Sequence, residues 1–285
     1  MKLYVLGTGA AGVTKCYNTC FTLSCSTKKN LINQSSLAVS EDKKDYFLVD
    51  GGGGNAILSQ LQKSNIDLMN IHHIFVSHNH IDHIIGIIWV MRRIADGIVF
   101  DRPYEGNLNI YCSDVTVSAV KTIADLTLNA KQRKTIEERV KMHTVSDGET
   151  MEIMGKPITF FDIHATKEKQ FGFKLSLNSE KDLVFLGDEP CNEKTHTYIQ
   201  NAHFVLCEAF CLYDEREKYR PYEKGHYTVK EGAELAEKMN IQNLLLWHTM
   251  DNNLSERKKL YTLEAKQYFK GNVFVPDDLD VIDIG

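Results

Sequence analysis

Short apolar runs rich in Val, Ile, Leu and Phe alternate along the chain with longer stretches whose apolar residues recur every three or four positions. The first pattern is that of buried strands and the second that of amphipathic helices. Strands are predicted at Lys2–Leu6, Phe21–Ser24, Tyr46–Asp50, His73–Ser77, Leu108–Cys112, Ile158–Ile163, Phe171–Leu177, Leu183–Gly187, Phe204–Glu208 and Leu244–Trp247. Helices are predicted at Asn55–Gln62, His83–Ile94, Asp114–Leu128, Glu193–Gln200, Thr228–Met239 and Ser255–Phe269, with Thr228 and Ser255 as N-caps. Early strands follow one another like hairpins and later ones alternate with helices, which a mixed α/β sandwich accommodates. Lys28–Lys44 is the most polar stretch and reads as a long loop. With five prolines, no Pro/Gly/Ser-rich linker and no internal repeat, one domain over residues 1–285 is expected.

Composition narrows the class without naming a function. The 285 residues are 43% hydrophobic and 25% charged, an ordinary globular balance. No apolar run approaches the length of a membrane span. Met1–Leu6 turns at Gly7-Thr8-Gly9, which suits a first strand better than a signal peptide. Seven cysteines at irregular spacing point to a reduced, cytoplasmic chain. Cys16, Cys20 and Cys25 fit no metal-binding pair and read as small apolar filler. The net charge of -5 argues against non-specific nucleic-acid binding over the whole surface. Arg92-Arg93 and Lys131-Gln132-Arg133-Lys134 are the densest basic strips, and both read as solvated helix faces.

The most informative segment is Ser77-His78-Asn79-His80-Ile81-Asp82-His83, placed where a strand gives way to a helix. Side chains two apart on extended backbone share a face, so His78 and His80 can meet at one ion. As the chain turns into the helix, Asp82 and His83 point elsewhere and can serve a second. Imidazole and carboxylate suit zinc, with manganese and iron as alternatives. Three histidines in this run, of 11 in the chain, make a poor accident. Further ligands should stand at strand ends, and His164, Asp188 and His248 each follow a buried-looking strand. Asp188 is the natural bridge, because a carboxylate can offer one oxygen to each ion. His143, in what reads as a turn, competes with His164 for the third position.

An HxHxDH run, a distant His, an Asp after Gly and a final His resemble the metallo-β-lactamase superfamily, and within it the ribonuclease Z-like branch. Leu6-Gly7-Thr8-Gly9-Ala10-Ala11-Gly12 resembles that branch's first turn, Asn18 stands where it usually has Asn, and Leu48-Val49-Asp50-Gly51-Gly52-Gly53 resembles the early Asp motif. Cys207-Glu208-Ala209-Phe210 and Gly225-His226-Tyr227-Thr228 resemble two later segments. The resemblance runs from Met1 to about Asn253 and implies a four-layer αββα sandwich.

Carried over by position, it implies that His78, His80 and His164 hold one divalent ion. Asp82, His83 and His248 hold the other, and Asp188 lies between. Asp50 orients a ligand. The catalytic set is Asp82, His226 as proton donor to the leaving group, and Glu208 supporting it. The implied activity is that of a two-metal phosphodiesterase, in which activated hydroxide attacks phosphorus in line. The implied partner is a phosphodiester (a small ester, a cyclic nucleotide or RNA), with no membrane and, by analogy, a homodimer.

Departures from the pattern qualify this. Cys207 replaces a His, and Tyr17 stands where Arg is common. Only 24 positions (188 − 164) separate His164 from Asp188, too few for the branch's long tRNA-gripping arm. A smaller ester therefore competes with pre-tRNA. The alternatives are a lactonase or thioester hydrolase on the same fold, and a di-iron redox protein. Against the last, His80 stands where the redox family usually has Glu.

Overall fold

The computed structural model describes residues 1–11, 20–26, 44–250, 252 and 254–285. Gly12, Cys16, Tyr17, Asn18 and most of the Lys28–Lys44 stretch lie outside them. The strands of the described residues are β1 Lys2–Gly7, β2 Cys20–Ser26, β3 Lys44–Val49, β4 Ile71–Phe75, β5 Leu108–Cys112, β6 Val140–Thr144 and β7 Thr150–Ile153. They continue with β8 Lys156–Asp162, β9 Phe171–Ser176, β10 Asp182–Phe185, β11 Phe204–Glu208, β12 Asn243–Trp247, β13 Asn272–Phe274 and β14 Val281–Asp283. The helices are α1 Ala56–Lys63, α2 Ile81–Val99, α3 Asp114–Thr127, α4 Ala130–Arg139, α5 His196–Ile199, α6 Arg216–Tyr219, α7 Val229–Lys238 and α8 Leu254–Tyr268.

Two seven-stranded sheets result, ordered β14-β1-β2-β3-β4-β5-β6 and β13-β12-β11-β10-β9-β8-β7. Alternation along each strand decides the layers. Inner-face residues Phe21, Phe47, Phe75, Phe160, Phe173, Phe185 and Trp247 form one aromatic core between the sheets. Full burial of such a side chain contributes about 1.5–3 kcal/mol. Outer-face residues of the first sheet, such as Leu48, Ile74 and Ile110, pack on Leu61, Ile87, Ile94 and Val120 of α1, α2 and α3. Those of the second sheet, such as Val184, Val205 and Leu246, pack on Val229, Ala233 and Tyr261 of α7 and α8. The architecture is a four-layer αββα sandwich.

The functional end is set by strand direction. β3, β4, β5 and β6 run parallel, as do β10, β11, β12 and β13. Their carboxyl ends emerge on one edge of the sandwich, where loops carry the polar residues.

Several predicted boundaries move. β4 ends at Phe75 rather than Ser77, and α2 starts at Ile81 rather than His83 and runs to Val99. Asp82 and His83 therefore lie in the first helical turn. Glu193–Gln200 forms a 3₁₀ turn and the four residues of α5, not a full helix. Ser255 lies inside the first turn of α8 rather than before it. Thr228 does precede α7, its N–H donating to the Glu231 carboxylate at 2.9 Å. His143 belongs to β6, not to a turn. Strands β6, β7, β13 and β14 were not predicted. They are three to five residues long and mostly half-exposed, so no alternation marks them.

Candidate metal centre

Each candidate side chain is delivered by a strand end. β3 is followed by Asp50, β4 leads on through Ser77 to His80 and α2, β10 leads through Gly187 to Asp188, β11 ends with Glu208, and β12 leads into His248. Asp50, His164 and His248 all have φ of 56°, a left-handed backbone that L-residues adopt at a cost of about 1–2 kcal/mol. Sharp exits of this kind turn a side chain from the sheet plane into the edge.

The residues from these separate places meet. His78 Nε2 lies 2.8 Å from His80 Nδ1 and 3.5 Å from Asp188 Oδ2. His83 Nε2 is 3.3 Å from Asp188 Oδ2 and 3.5 Å from Asp82 Oδ2. His248 Nε2 is 3.5 Å from Asp188 Oδ2 and 3.6 Å from Asp82 Oδ2. Candidate donor atoms of His78, His80 and Asp188 lie within 4.8 Å of one another, and so do those of Asp82, His83 and His248. Asp188 Oδ2 thus faces imidazoles of both groups.

A group of bonds behind the cluster aims it. The Asp50 carboxylate is fully buried and accepts from Ser77 N–H at 2.8 Å, from the Ser77 hydroxyl at 2.8 Å and from His83 Nδ1 at 2.9 Å. A proton on His83 Nδ1 leaves Nε2 as the lone-pair nitrogen turned to the cluster. The Ser77 hydroxyl also lies 3.0 Å from His78 Nδ1. Backbone contact fixes the helix: Gly51 N–H donates to His83 O at 2.7 Å and Gly86 N–H to Gly52 O at 2.9 Å. A Cβ on Gly86 would stand 1.8 Å from Gly51 O, so only glycine permits the approach.

Whether cations belong here is tested by what the cluster leaves unsatisfied. His83 Nε2, Asp188 Oδ1 and His248 Nε2 are buried and have no hydrogen-bond partner. Buried polar atoms without partners are costly, and three in one cluster call for a shared partner. A divalent cation supplies that, and the nitrogen-and-carboxylate donor set suits one. Burial alone would raise the Asp188 carboxyl, but His78, His83 and His248 around it hold it well below the usual carboxylate range. It stands there as an anion.

In a third group, Glu208, His226 and His248, the first two are joined by a hydrogen bond. His226 Nδ1 lies 2.7 Å from Glu208 Oε2 and 2.8 Å from the Asp188 carbonyl oxygen. A carbonyl can only accept, so Nδ1 carries hydrogen and Nε2 is the free nitrogen. The His226 ring stacks on Phe210 at 4.7 Å and lies 5.0 Å from the His248 ring. Burial pushes the Glu208 carboxyl up to about 8, against the His248 hydrogen bond, and burial also lowers His226.

His164 stands apart. Its backbone N–H donates to Asp162 at 2.7 Å, its ring Nδ1 is 4.0 Å from the same carboxylate, and its side chain is 33% exposed. It lines an open cleft of about 410 Å³ with Thr166 and Lys167 and is in none of the three groups. His143 is engaged by Asn109 at 3.0 Å and by the Tyr111 ring. Cys20 is buried and bonded to the Asp50 carbonyl oxygen, consistent with filler. Sequence reasoning missed Ser77 as a positioning residue, and Phe210. Ser77's place between strand and HxHxDH was the available signal; Phe210, two residues after Glu208, offered none.

Residues 46–249 match the family model described as the beta-lactamase superfamily domain. The chain belongs to the beta-lactamase superfamily. Ribonuclease Z of Listeria welshimeri is 23% identical to it over an alignment spanning 100% of both chains. Among solved structures, the metallo-beta-lactamase fold protein YhfI of Bacillus subtilis is 19% identical with a TM-score of 0.73, covering 99% of this chain and 98% of that one. The short form of human tRNase Z is 18% identical with a TM-score of 0.71 over 100% of both. These two share the fold of this superfamily member. Family and donor cluster together support a metal-dependent hydrolase.

Proposed function

We propose that this superfamily member is a phosphodiesterase of the ribonuclease Z-like type. His78, His80 and Asp188 would hold one divalent ion, and Asp82, His83 and His248 the other, with Asp188 shared and His164 the remaining candidate for the first. Zinc is the metal this donor set suits best, with manganese or iron as alternatives. Bound there, such ions supply Lewis-acid chemistry: they make water a nucleophile near neutral pH and offset charge developing on phosphoryl oxygens.

The chain's own residues do the rest. Asp50 and Ser77 hold the His83 and His78 rings. Glu208 accepts from His226 Nδ1 and from Tyr227 N–H at 2.9 Å, so it fixes the ring from behind. His226 Nε2 is then the atom that carries a proton to the departing alkoxide, and Phe210 keeps the ring from rotating.

The observation that carries this reading is the second imidazole, His226, beside the metal cluster but bonded into its own carboxylate pair. An ester of phosphoric acid with a poor alkoxide leaving group needs such an acid; a lactone has less use for one. The relatives' name supports the same class. The substrate need not be pre-tRNA. The alignment with the Listeria protein runs over 337 positions, so at least 52 (337 − 285) lie opposite gaps in this chain. The short interval between His164 and Asp188 holds the antiparallel strands β9 and β10. A small phosphodiester, a cyclic nucleotide or RNA without that grip is the expected class.

The test is His226→Ala assayed on the dinucleotide ApA, whose departing ribose oxygen is a poor alkoxide leaving group. Metal content should stay at the wild-type level while kcat falls about 10²–10⁴-fold, the range for loss of a positioned acid. An unchanged rate would remove the assignment.

A further inference from the structure

Two lysines from different loops lie near His226, Lys167 against Gly225 and Lys224 over the Phe210 ring, and take no part in the chemistry above. Lys167, in the loop after β8, is exposed and reaches Gly225, the residue before His226. A Cβ on Gly225 would lie 3.4 Å from both Lys167 Cε and Nζ, and Gly225 itself has φ of 69°. Lys224, one residue earlier, is exposed and holds its ammonium 5.0 Å from the centre of the Phe210 ring, on which His226 stacks.

Among the described residues, neighbouring carboxylates make no ion pair with either lysine. Glu189 is close to Lys167, but its Oε2 accepts from Thr166 N–H at 2.8 Å and from the Thr166 hydroxyl at 3.0 Å. Glu223 is paired with Arg220 at 3.6 Å, and Lys169, on the same loop as Lys167, with Asp114 at 2.8 Å. No ion pair links Lys167 or Lys224 to a carboxylate among the described residues. Two cations thus stand on the side of the site where His226 would protonate the leaving alkoxide.

We propose that Lys167 and Lys224 bind a second phosphate carried by the leaving-group half of the substrate. This rests on the phosphodiesterase reading and adds a specificity to it: a diester with a neighbouring phosphate is preferred to an isolated one. Exposed lysines act on phosphate as screened point charges, so the preference weakens as salt is raised.

The experiment compares hydrolysis of the dinucleotide ApA with that of pApA and ApAp, two arms that place the extra phosphate on either side. In the wild-type, metal-loaded protein the arm whose extra phosphate sits on the half released as the alcohol, identified from the products, should exceed ApA in kcat/KM by at least about tenfold, the value of 1.4 kcal/mol of added binding; a gain only in the other arm would count against the proposal. Lys167→Ala with Lys224→Ala should abolish that ratio, and Lys→Arg at both positions should restore most of it. Lys169→Ala should leave it intact. Equal rates on all three dinucleotides, or a ratio that survives loss of both lysines, would overturn the proposal. Activity on bis-p-nitrophenyl phosphate without the ratio would sink the subsite alone. Inactivity on every diester would sink the parent reading. The lysines would then be judged by calorimetric titration with pApA, ApAp and ApA, where equal affinities for all three would dispose of them too.

Discussion

Asp50 is the place to disturb the centre without removing a proposed ligand. Its buried carboxylate accepts from Ser77 N–H, the Ser77 hydroxyl and His83 Nδ1, all at 2.8–2.9 Å. Asp50→Ala strips the three donors of their acceptor at once. Breaking a buried charged pair from one side costs about 3–5 kcal/mol. The left-handed backbone at this position adds about 1 kcal/mol for Ala. Against a total folding stability of about 5–15 kcal/mol, the variant should be marginal. Asp50→Asn is the sharper probe. Asn tolerates the backbone and can still accept from Ser77, so folding should lose only about 1–3 kcal/mol. It no longer presents an anion to His83 Nδ1, and metal affinity should fall about 10–100-fold. Urea unfolding of chelator-treated protein reads the first quantity, and competition with a chromophoric chelator the second. An Asn variant that binds metal like wild type, or an Ala variant with an unmoved urea midpoint, would refute the reasoning.

Gly86→Ala places a methyl 1.8 Å from Gly51 O, so α2 must lift from the Asp50 loop. The expected loss is at least about 3 kcal/mol in urea unfolding, with metal affinity falling alongside; wild-type values for both would contradict the contact. Burial pushes the Cys112 and Cys211 thiols up to about 12 and Cys191 to about 11. A raised thiol pKa lowers the thiolate fraction, so reactivity should appear only as pH approaches those values. At pH 8 iodoacetamide should spare these three in the folded protein and modify them in urea, read by peptide mass mapping; rapid labelling of folded Cys112 would contradict it.

How much of this was legible differed by element. The ten predicted strands were found because each is apolar and buried on the inner or outer face of a sheet. β6, β7, β13 and β14 escaped because edge strands need less apolar content. The HxHxDH run announced itself by density, and Asp188 and His248 by standing just past buried strands. His164 has the same signature, yet the fold leaves it beside Asp162, because strand-end position does not say which way a left-handed residue turns its ring. Phe210 and the lysine pair could not be read at all. Their roles depend on packing across the sandwich edge between residues remote in sequence, such as Lys167 and Gly225.

Side chains that follow three strands, β4, β10 and β12, are proposed to hold a pair of divalent cations. Elemental analysis of the purified wild-type protein, normalised to chain concentration, addresses it directly. Two divalent metal ions per chain are predicted. Protein grown and purified with metal present that carries none would contradict the account.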